Sequence, residues 1–532
     1  MRVLIFHGYL LDGTGSNVYN ARLAAALAGL GHEVHLLSQD RHPQEQPFVD
    51  AWGDWDSGAL RIREREREPG AGGAGAGGRC TVYRPDIGEL LPVYVADRYE
   101  GIEARTFAEC SEADLARYIE ANVAAVSEVV ALVAPDVALA NHLVMGPVIL
   151  ARGLHRRAPY AVKVHGSALE YTVKPEPERF LGLAREGLAG ASAVLVGSHH
   201  TAASLWQAIG DPDLPARTRL GPPGVDIARF TARPAAQAAA GVRSLTARLR
   251  ASASTQAKAQ ASPSTFARDG LAAGDALQQV DPEHDRLVAF VGKLIVSKGV
   301  DLLLACWPLV LAREPRARLL IVGFGAYREG LERLQQSLMR GDLDEALAIA
   351  RAGRSLEQES STPHPLRHLL AFLQGLSGLE RARYLAAAGA IGERVLFTGR
   401  LDHDELADLL PACEAVVVPS TFPEAFGMVA AEAAACGALP ISAAHSGLAE
   451  VSDVLARAVP AQSAAWLSFP VDDGAVTALA ERLLGWLGAS PALREQTREG
   501  LLSSVREHWS WDGVARGVIA AARGELDGLK EP

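Results

Sequence analysis

Two lysines and two glutamates stand where a phosphorylated sugar could be held. The apolar run Leu287 to Val291 ends in Gly292-Lys293-Leu294, and Lys298-Gly299-Val300-Asp301 then opens a helical stretch. Two cations beside one turn suit a diphosphate, whose charge needs compensation as it leaves. Farther on, Ala415 to Ser420 is followed by Pro423-Glu424-Ala425-Phe426-Gly427-Met428 and an alanine-rich helix carrying Glu432. A helix beginning near Phe426 turns the N–H groups around Gly427, Met428 and Val429 toward phosphate oxygens, worth roughly 0.3–1 kcal/mol per charge. Glu432, nearly two turns in, is placed to accept both hydroxyls of a ribose, and Glu424 to bond hydroxyls of a sugar. The plainer reading makes the lysines solvated, Glu424 a first-turn acid and Glu432 a surface residue. Against it, Ala430, Ala431, Ala433, Ala434 and Ala435 surround Glu432 with the small side chains of a close-packed helix.

Near the start, Asp12-Gly13-Thr14-Gly15-Ser16-Asn17 links an apolar run to a helical stretch ending at Leu30. Such a Gly-containing turn lets backbone N–H groups approach an anion or a sugar at a helix N-terminus, although backbone geometry alone also explains the glycines. The full GxGxxG spacing is missing, and Ser38 and Gln39 stand before Asp40 where an acid would meet a dinucleotide ribose, which disfavours a dehydrogenase. The pairs Asp54/Asp56, Asp211/Asp213 and Asp402/Asp404 imitate a DxD metal site, but loops and helix starts favour capping.

These residues need a scaffold, and its rhythm is that of an α/β protein. Short β-rich runs alternate with longer Ala- and Leu-rich helical stretches, which predicts mainly parallel sheets. In the first half the strand candidates are Val3 to Phe6, Glu33 to Ser38, Val137 to Ala140, Ala161 to Val164 and Ala193 to Gly197. In the second they are Leu287 to Gly292, Arg318 to Gly323, Val395 to Thr398, Ala415 to Pro419 and Leu439 to Ser442. Two α/β units thus emerge, joined near Gly221 to Phe230.

Three stretches break the rhythm. Arg61 to Glu68 largely alternates Arg and Glu and Pro69 to Gly78 is nearly all Gly and Ala, predicting a solvated, mobile insertion at about 50–80. Residues 232–285 have few large apolar groups, which predicts a low-complexity insertion that buries too little surface to order fully and is either partly helical or disordered. Residues 326–390 carry Leu366, Leu369, Leu370, Leu373 and Leu376 at helical spacing and predict an inserted helical subdomain.

With 532 residues, 48% hydrophobic, more than one domain is required. A formal charge of −11 argues against nucleic acid or an anionic membrane as main partner. Cys80, Cys110, Cys306, Cys413 and Cys436 are scattered and odd in number, suggesting neither a disulfide framework nor a zinc site. His7, Gly8 and Asp12 interrupt the apolar start, and no uninterrupted apolar run is long enough for a transmembrane segment. A cytoplasmic protein is expected.

Taken in order, the motifs resemble those of the GT-B-fold glycosyltransferases of family 4, a retaining group related to bacterial glycogen synthases. The marks are the Gly13/Gly15 loop with Gly31-His32-Glu33-Val34, Val164-His165-Gly166, Gly221-Pro222-Pro223-Gly224-Val225-Asp226 with Phe230, Gly292-Lys293 with Lys298-Gly299, Phe397-Thr398-Gly399-Arg400, and Glu424 through Glu432. The resemblance implies two Rossmann-like domains with a cleft between them: an acceptor-side domain at 1–220, a nucleotide-sugar domain at 221–505, and a C-terminal helix at 506–532 packing back on the first. It implies that Lys293 and Lys298 grip the donor diphosphate, Glu424 the sugar and Glu432 the ribose, while backbone around Arg400 and Leu401 meets the base. His165 would line the donor-sugar pocket and help stabilise charge near the reacting carbon.

The resemblance further implies a hexosyltransferase with a UDP-, GDP- or ADP-sugar as co-substrate, no cofactor and no metal, and a glycan, small-molecule or lipid acceptor. Transfer would retain anomeric configuration without a protein nucleophile. The sequence departs from the family where Lys293 replaces a usual arginine, losing the planar fork, and where Ser446-Gly447 replaces two glycines. Trp509 and Trp511 read as packing anchors of the last helix. The rival readings are a sugar-nucleotide epimerase or hydrolase on this fold and a non-catalytic carbohydrate- or nucleotide-binding protein.

Overall fold

Runs that are apolar at successive positions can bury both faces only inside a parallel sheet flanked by helices, and that is how this chain uses them. The computed structural model describes residues 1–56, 58–66, 78–95, 102–256, 269–357 and 364–532. The chain divides into two compact units, Met1–Gly224 together with Trp509–Pro532, and Val225–His508.

In the first unit the strands are β1 (Arg2–Phe6), β2 (Glu33–Leu37), β3 (Ala51–Asp56), β4 (Ala59–Glu64), β5 (Arg79–Arg84), β6 (Leu90–Val93), β7 (Glu103–Thr106), β8 (Val137–Asn141), β9 (Tyr160–Val164), β10 (Ala193–Val196) and β11 (Thr218–Leu220). Nine of them form one sheet in the order β11-β10-β9-β8-β1-β2-β5-β3-β4, and β6 pairs with β7. Among the described residues of this unit only the β3–β4 pairing is antiparallel. Alternation along β1 sends Leu4 and Phe6 into the core on one face and Val3 and Ile5 into the core on the other.

In the second unit β12 (Arg286–Val291), β13 (Ala317–Val322), β14 (Val395–Gly399), β15 (Ala415–Val418), β16 (Leu439–Ala443) and β17 (Ser468–Phe469) form an all-parallel sheet ordered β14-β13-β12-β15-β16-β17. Counted from β12 this is the doubly wound order 3-2-1-4-5-6, whose direction of winding reverses between β12 and β15. In the first unit the corresponding reversal lies between β1 and β8.

Of the breaks in the sequence rhythm, the Arg/Glu run is more structured than expected, and the two later stretches are helical where described. The Arg/Glu run is not a mobile insertion where it is described: Arg61 to Glu64 belong to β4, the edge strand, where charges on both faces are tolerated and deter further pairing. Arg63 bridges Asp54 at 3.2 Å and Arg79 bridges Glu64 at 2.5 Å. Residues 67–77, which hold nearly all of the Gly/Ala tract, lie outside the described residues.

The expected low-complexity stretch forms the helices Ala235–Gln256 and Gly270–Gln278, with 257–268 outside the description. Small side chains suffice here, because Ala238, Val242, Leu245 and Leu249 recur at helical spacing and are buried with Ala273 and Leu277. Residues 326–390 contain the helices Arg328–Met339, Leu343–Ala352, Arg367–Gly375 and Gly378–Ala388, with 358–363 outside the description. Leu369 and Leu373 are buried, and Tyr384 donates to the Ala305 carbonyl at 2.9 Å. Among the described residues no helix is long and apolar enough to cross a membrane.

Candidate active site

Ligands of doubly wound sheets lie beyond the carboxyl ends of the strands at the point of reversal, and in the second unit the loops after β12 and β15 meet there. Val296–Lys298 makes one tight turn that ends on Gly299 at φ +65°. A Cβ on Gly299 would lie 2.1 Å from the Pro419 carbonyl oxygen, so only glycine permits this approach. Thr421 N donates to Ser297 O at 2.9 Å and stitches the two loops together.

This stitching brings Lys298 Nζ onto Glu424 Oε1, which also accepts from Ser420 Oγ at 2.6 Å. Glu424 is fixed from its backbone as well: its N–H donates to Ser446 Oγ at 2.9 Å, and its carbonyl accepts from Gly447 N at 2.9 Å. His445 completes the ring. Its Nε2 faces the Ser420 carbonyl at 2.8 Å and must carry the proton, so Nδ1 accepts from Ser446 Oγ at 3.1 Å. Gly447 is required, since a Cβ there would sit 2.7 Å from Ala425 and Phe426 backbone atoms.

The helix Met428–Ala435 begins beside this cluster. Its N-cap is Gly427, without a side-chain cap, so its first N–H groups have no side-chain acceptor from that position. Phe426, Met428 and Val429 are half-buried, and Glu432 is buried as its alanine neighbours imply. Its Oε1 faces His403 Nε2 at 2.7 Å, and the His403 ring lies 4.6 Å from that of Phe230. One of the two oxygens expected to bind a diol is therefore already engaged. Lys293 sits half-buried on the β12 loop; Arg400, after β14, pairs with Asp402 at 3.2 Å, and Leu401 is buried. One turn past Lys298, Asp301 is buried with Oδ1 unpartnered, and burial, with Glu357 nearby, raises its pKa to about 7.

The first unit holds Gly13, Gly15 and His165. Gly13 takes φ +87° and Gly15 opens the helix Gly15–Gly29, whose N-cap Thr14 makes no side-chain capping bond. His165 follows β9 and joins His142, after β8, and His7, after β1: ring centroids are 4.9 Å apart for His142–His165 and 5.8 Å for His7–His142. Tyr19 closes on His165 at 5.0 Å. Burial lowers all three imidazole pKa values, that of His7 to about 4. Burial also lowers Lys163 to about 7, its Nζ donating to Gly221 O at 2.6 Å.

The aspartate pairs have structural partners. Asp54 lies in β3, a strand rather than a loop, and takes Arg84 at 2.8 Å and Arg63; Asp211 takes Arg217 at 3.1 Å; Asp402 caps the helix His403–Leu409. Among the described residues no three His, Cys, Asp or Glu are grouped to hold a metal ion. Ser420, His403, His445, His7 and His142 carry no motif of their own in the sequence; only places just after strands, for Ser420, His445, His7 and His142, or at a helix start, for His403, could have marked them.

Residues 14–224 match the family described as glycosyl transferase 4-like domain, and residues 370–468 match glycosyl transferases group 1. D-inositol 3-phosphate glycosyltransferase of Segniliparus rotundus is 27% identical over 252 residues, 47% of this chain and 42% of that protein. The chain spans less than half the length of the curated relatives it matches first, 44% and 42%. Sucrose-phosphate synthase of Thermosynechococcus elongatus superposes with TM-score 0.56 at 19% identity, covering 99% of both chains. Anabaena HepE, solved in complex with UDP and glucose, superposes with TM-score 0.53 at 16% identity, covering 99% of this chain and 100% of that one.

Proposed function

Because the chain belongs to the group 1 glycosyltransferases of GT-B fold, we propose that it moves a hexosyl group from a nucleotide sugar to an acceptor hydroxyl, with retention and without a metal. The observation that carries this reading is the Lys298–Glu424–Ser420 cluster at the reversal of the second sheet, beside a helix start without a side-chain cap.

Glu424 holds the Lys298 ammonium beside the helix start, where a cation suits a diphosphate. The helix start adds N–H groups and its dipole, and Lys293 a second cation, so charge on the departing nucleoside diphosphate meets preorganised donors. Glu424 Oε1 is held by Lys298 and Ser420, and Oε2 is the oxygen for sugar hydroxyls. Glu432 binds the ribose through the oxygen His403 does not hold, and backbone near Arg400 and Leu401 meets the base. Within the first unit, Gly13 and Gly15 let backbone of the turn before the helix Gly15–Gly29 approach a ligand. His165 contacts the transferred sugar as a neutral ring, a hydrogen-bond acceptor rather than a source of positive charge. The acceptor hydroxyl, on a glycan, a small molecule or a lipid, attacks the anomeric carbon on the face the diphosphate leaves, and positioning supplies the catalysis.

HepE was solved with UDP and with UDP-glucose, which makes a UDP-sugar the first donor to test. The five buried free thiols suit a reducing cytoplasm. The test is a panel of UDP-, GDP- and ADP-sugars scored for nucleoside diphosphate release and for the anomeric form of the product by NMR. One donor should turn over to a retained product, undiminished by EDTA, and Lys298→Ala or Glu424→Ala should lower kcat by roughly 10²-fold or more. Isomerised or hydrolysed sugar formed without an acceptor would overturn the transferase, and EDTA sensitivity the metal-free mechanism.

A further inference from the structure

Asn141, the last residue of β8, is fully buried and bridges two neighbouring strands. Its amide nitrogen donates to the Phe6 carbonyl of β1 at 3.2 Å, and its amide oxygen faces His165 Nε2 at 2.8 Å. The Phe6 oxygen is an acceptor only, so the atom facing it must be Nδ2, and Oδ1 must point to the imidazole. An amide oxygen is likewise an acceptor only. His165 Nε2 therefore carries a proton, and in the neutral ring the lone pair falls on Nδ1.

We propose that Asn141 is a positioning residue for His165, holding its imidazole as the Nε2–H tautomer so that Nδ1 is left to accept a hydroxyl of the bound sugar. The use made of Nδ1 rests on the proposed role of His165; the tautomer does not. The surroundings keep the ring neutral. His142 and His7 lie in the stack beside it, the Lys163 amine is on its own strand and Tyr19 lies against its edge, so no carboxylate is among these neighbours. Burial first, then the charges these bases would carry, drives its pKa well below the usual imidazole value. A neutral amide partner fixes the tautomer without stabilising a cation, whereas a carboxylate would do both.

The full chain labelled with 15N-histidine, examined by long-range 1H–15N NMR with His165→Gln to assign the ring, reads the tautomer directly. The wild type should show His165 with only Nε2 protonated from pH 6 to 8. Asn141→Asp should raise the imidazolium pKa by about one unit or more, and the acid limb of the kcat–pH profile should move up with it. Asn141→Ala should lose the single tautomer. A wild-type ring protonated on Nδ1, or as a mixture, overturns the proposal even if neither variant folds; so does an Asn141→Asp protein with an unmoved His165 titration. If the tautomer is as stated and no donor turns over, the transferase reading fails while the role of Asn141 in setting the tautomer stands.

Discussion

A carboxyl buried with one oxygen unpartnered is costly in its charged form, and Asp301 is such a group: almost fully buried, Oδ1 without a hydrogen bond, beside the loop that aims Lys298. Burial raises its pKa in the fold from 3.8 to about 7. The sign follows from proton binding. Between pH 4 and 7 the unfolded chain has released this proton and the folded one has kept it, so raising the pH through that window favours unfolding; outside it the contribution is constant. Asp301→Asn removes the titration. Its stability relative to wild type should climb with pH by roughly 1 kcal/mol per unit within the window and level off on either side. Thermal melts of both proteins at pH 4, 5, 6, 7 and 8 check this, and a flat difference would mean that the carboxyl ionises freely in the fold.

The elements around the site meet through a close approach of backbone at Gly299, and a pair of substitutions tests whether backbone or side chain is what a new methyl group cannot displace. A Cβ at Gly299 meets the Pro419 carbonyl oxygen at 2.1 Å with φ at +65°, whereas a Cβ at Gly427 meets only the end of the Leu448 side chain at 2.8 Å. Backbone cannot yield as a methyl group can. Gly299→Ala should therefore lower the melting temperature and weaken nucleotide binding by tenfold or more, about 1.4 kcal/mol, as the β12 and β15 loops part and Lys298 leaves Glu424. Gly427→Ala should bind nucleotide within a few-fold of wild type, and calorimetric titration with UDP and GDP separates the two. Much of this arrangement is readable from residue order alone, because a parallel sheet fixes which loops meet once strand order is given: Lys298 and Glu424 each stand in the loop past an apolar run, and Glu432 in the helix that follows the second. What sequence leaves hidden is sideways contact. That His403 would reach Glu432, twenty-nine positions away, or that Ser420 and His445 would brace Glu424, depends on side-chain directions set by packing. The Arg/Glu run fails as a loop for a related reason: composition shows that it cannot lie in a core, yet an edge strand needs no core on its outer side.

At the scale of the whole molecule the chain crosses from the first unit to the second once, near Gly224, and returns at Trp509. The returning segment is part of the first unit's interior rather than a tail. Ser510 caps the helix Trp511–Arg523 by accepting from Gly513 N, and Ala515, Val518, Ala521 and Ala522 are buried with Leu23, Ala24 and Leu27 of the first helix. Trp511 lies 5.6 Å from the Tyr19 ring and so close to Gly224 that a Cβ there would meet the indole at 2.7 Å. Tyr19 is in turn the ring set against His165. One indole thus packs both the end of the crossing segment and the residue beside the proposed sugar contact. Trp511→Ala should destabilise the first unit by on the order of 3 kcal/mol, while the second unit, which contains none of these residues, keeps its own stability. Differential scanning calorimetry reads the difference as a transition that moves down in temperature beside one that does not, with nucleotide affinity of the second unit retained. A single transition displaced as a whole would show that the two units unfold as one.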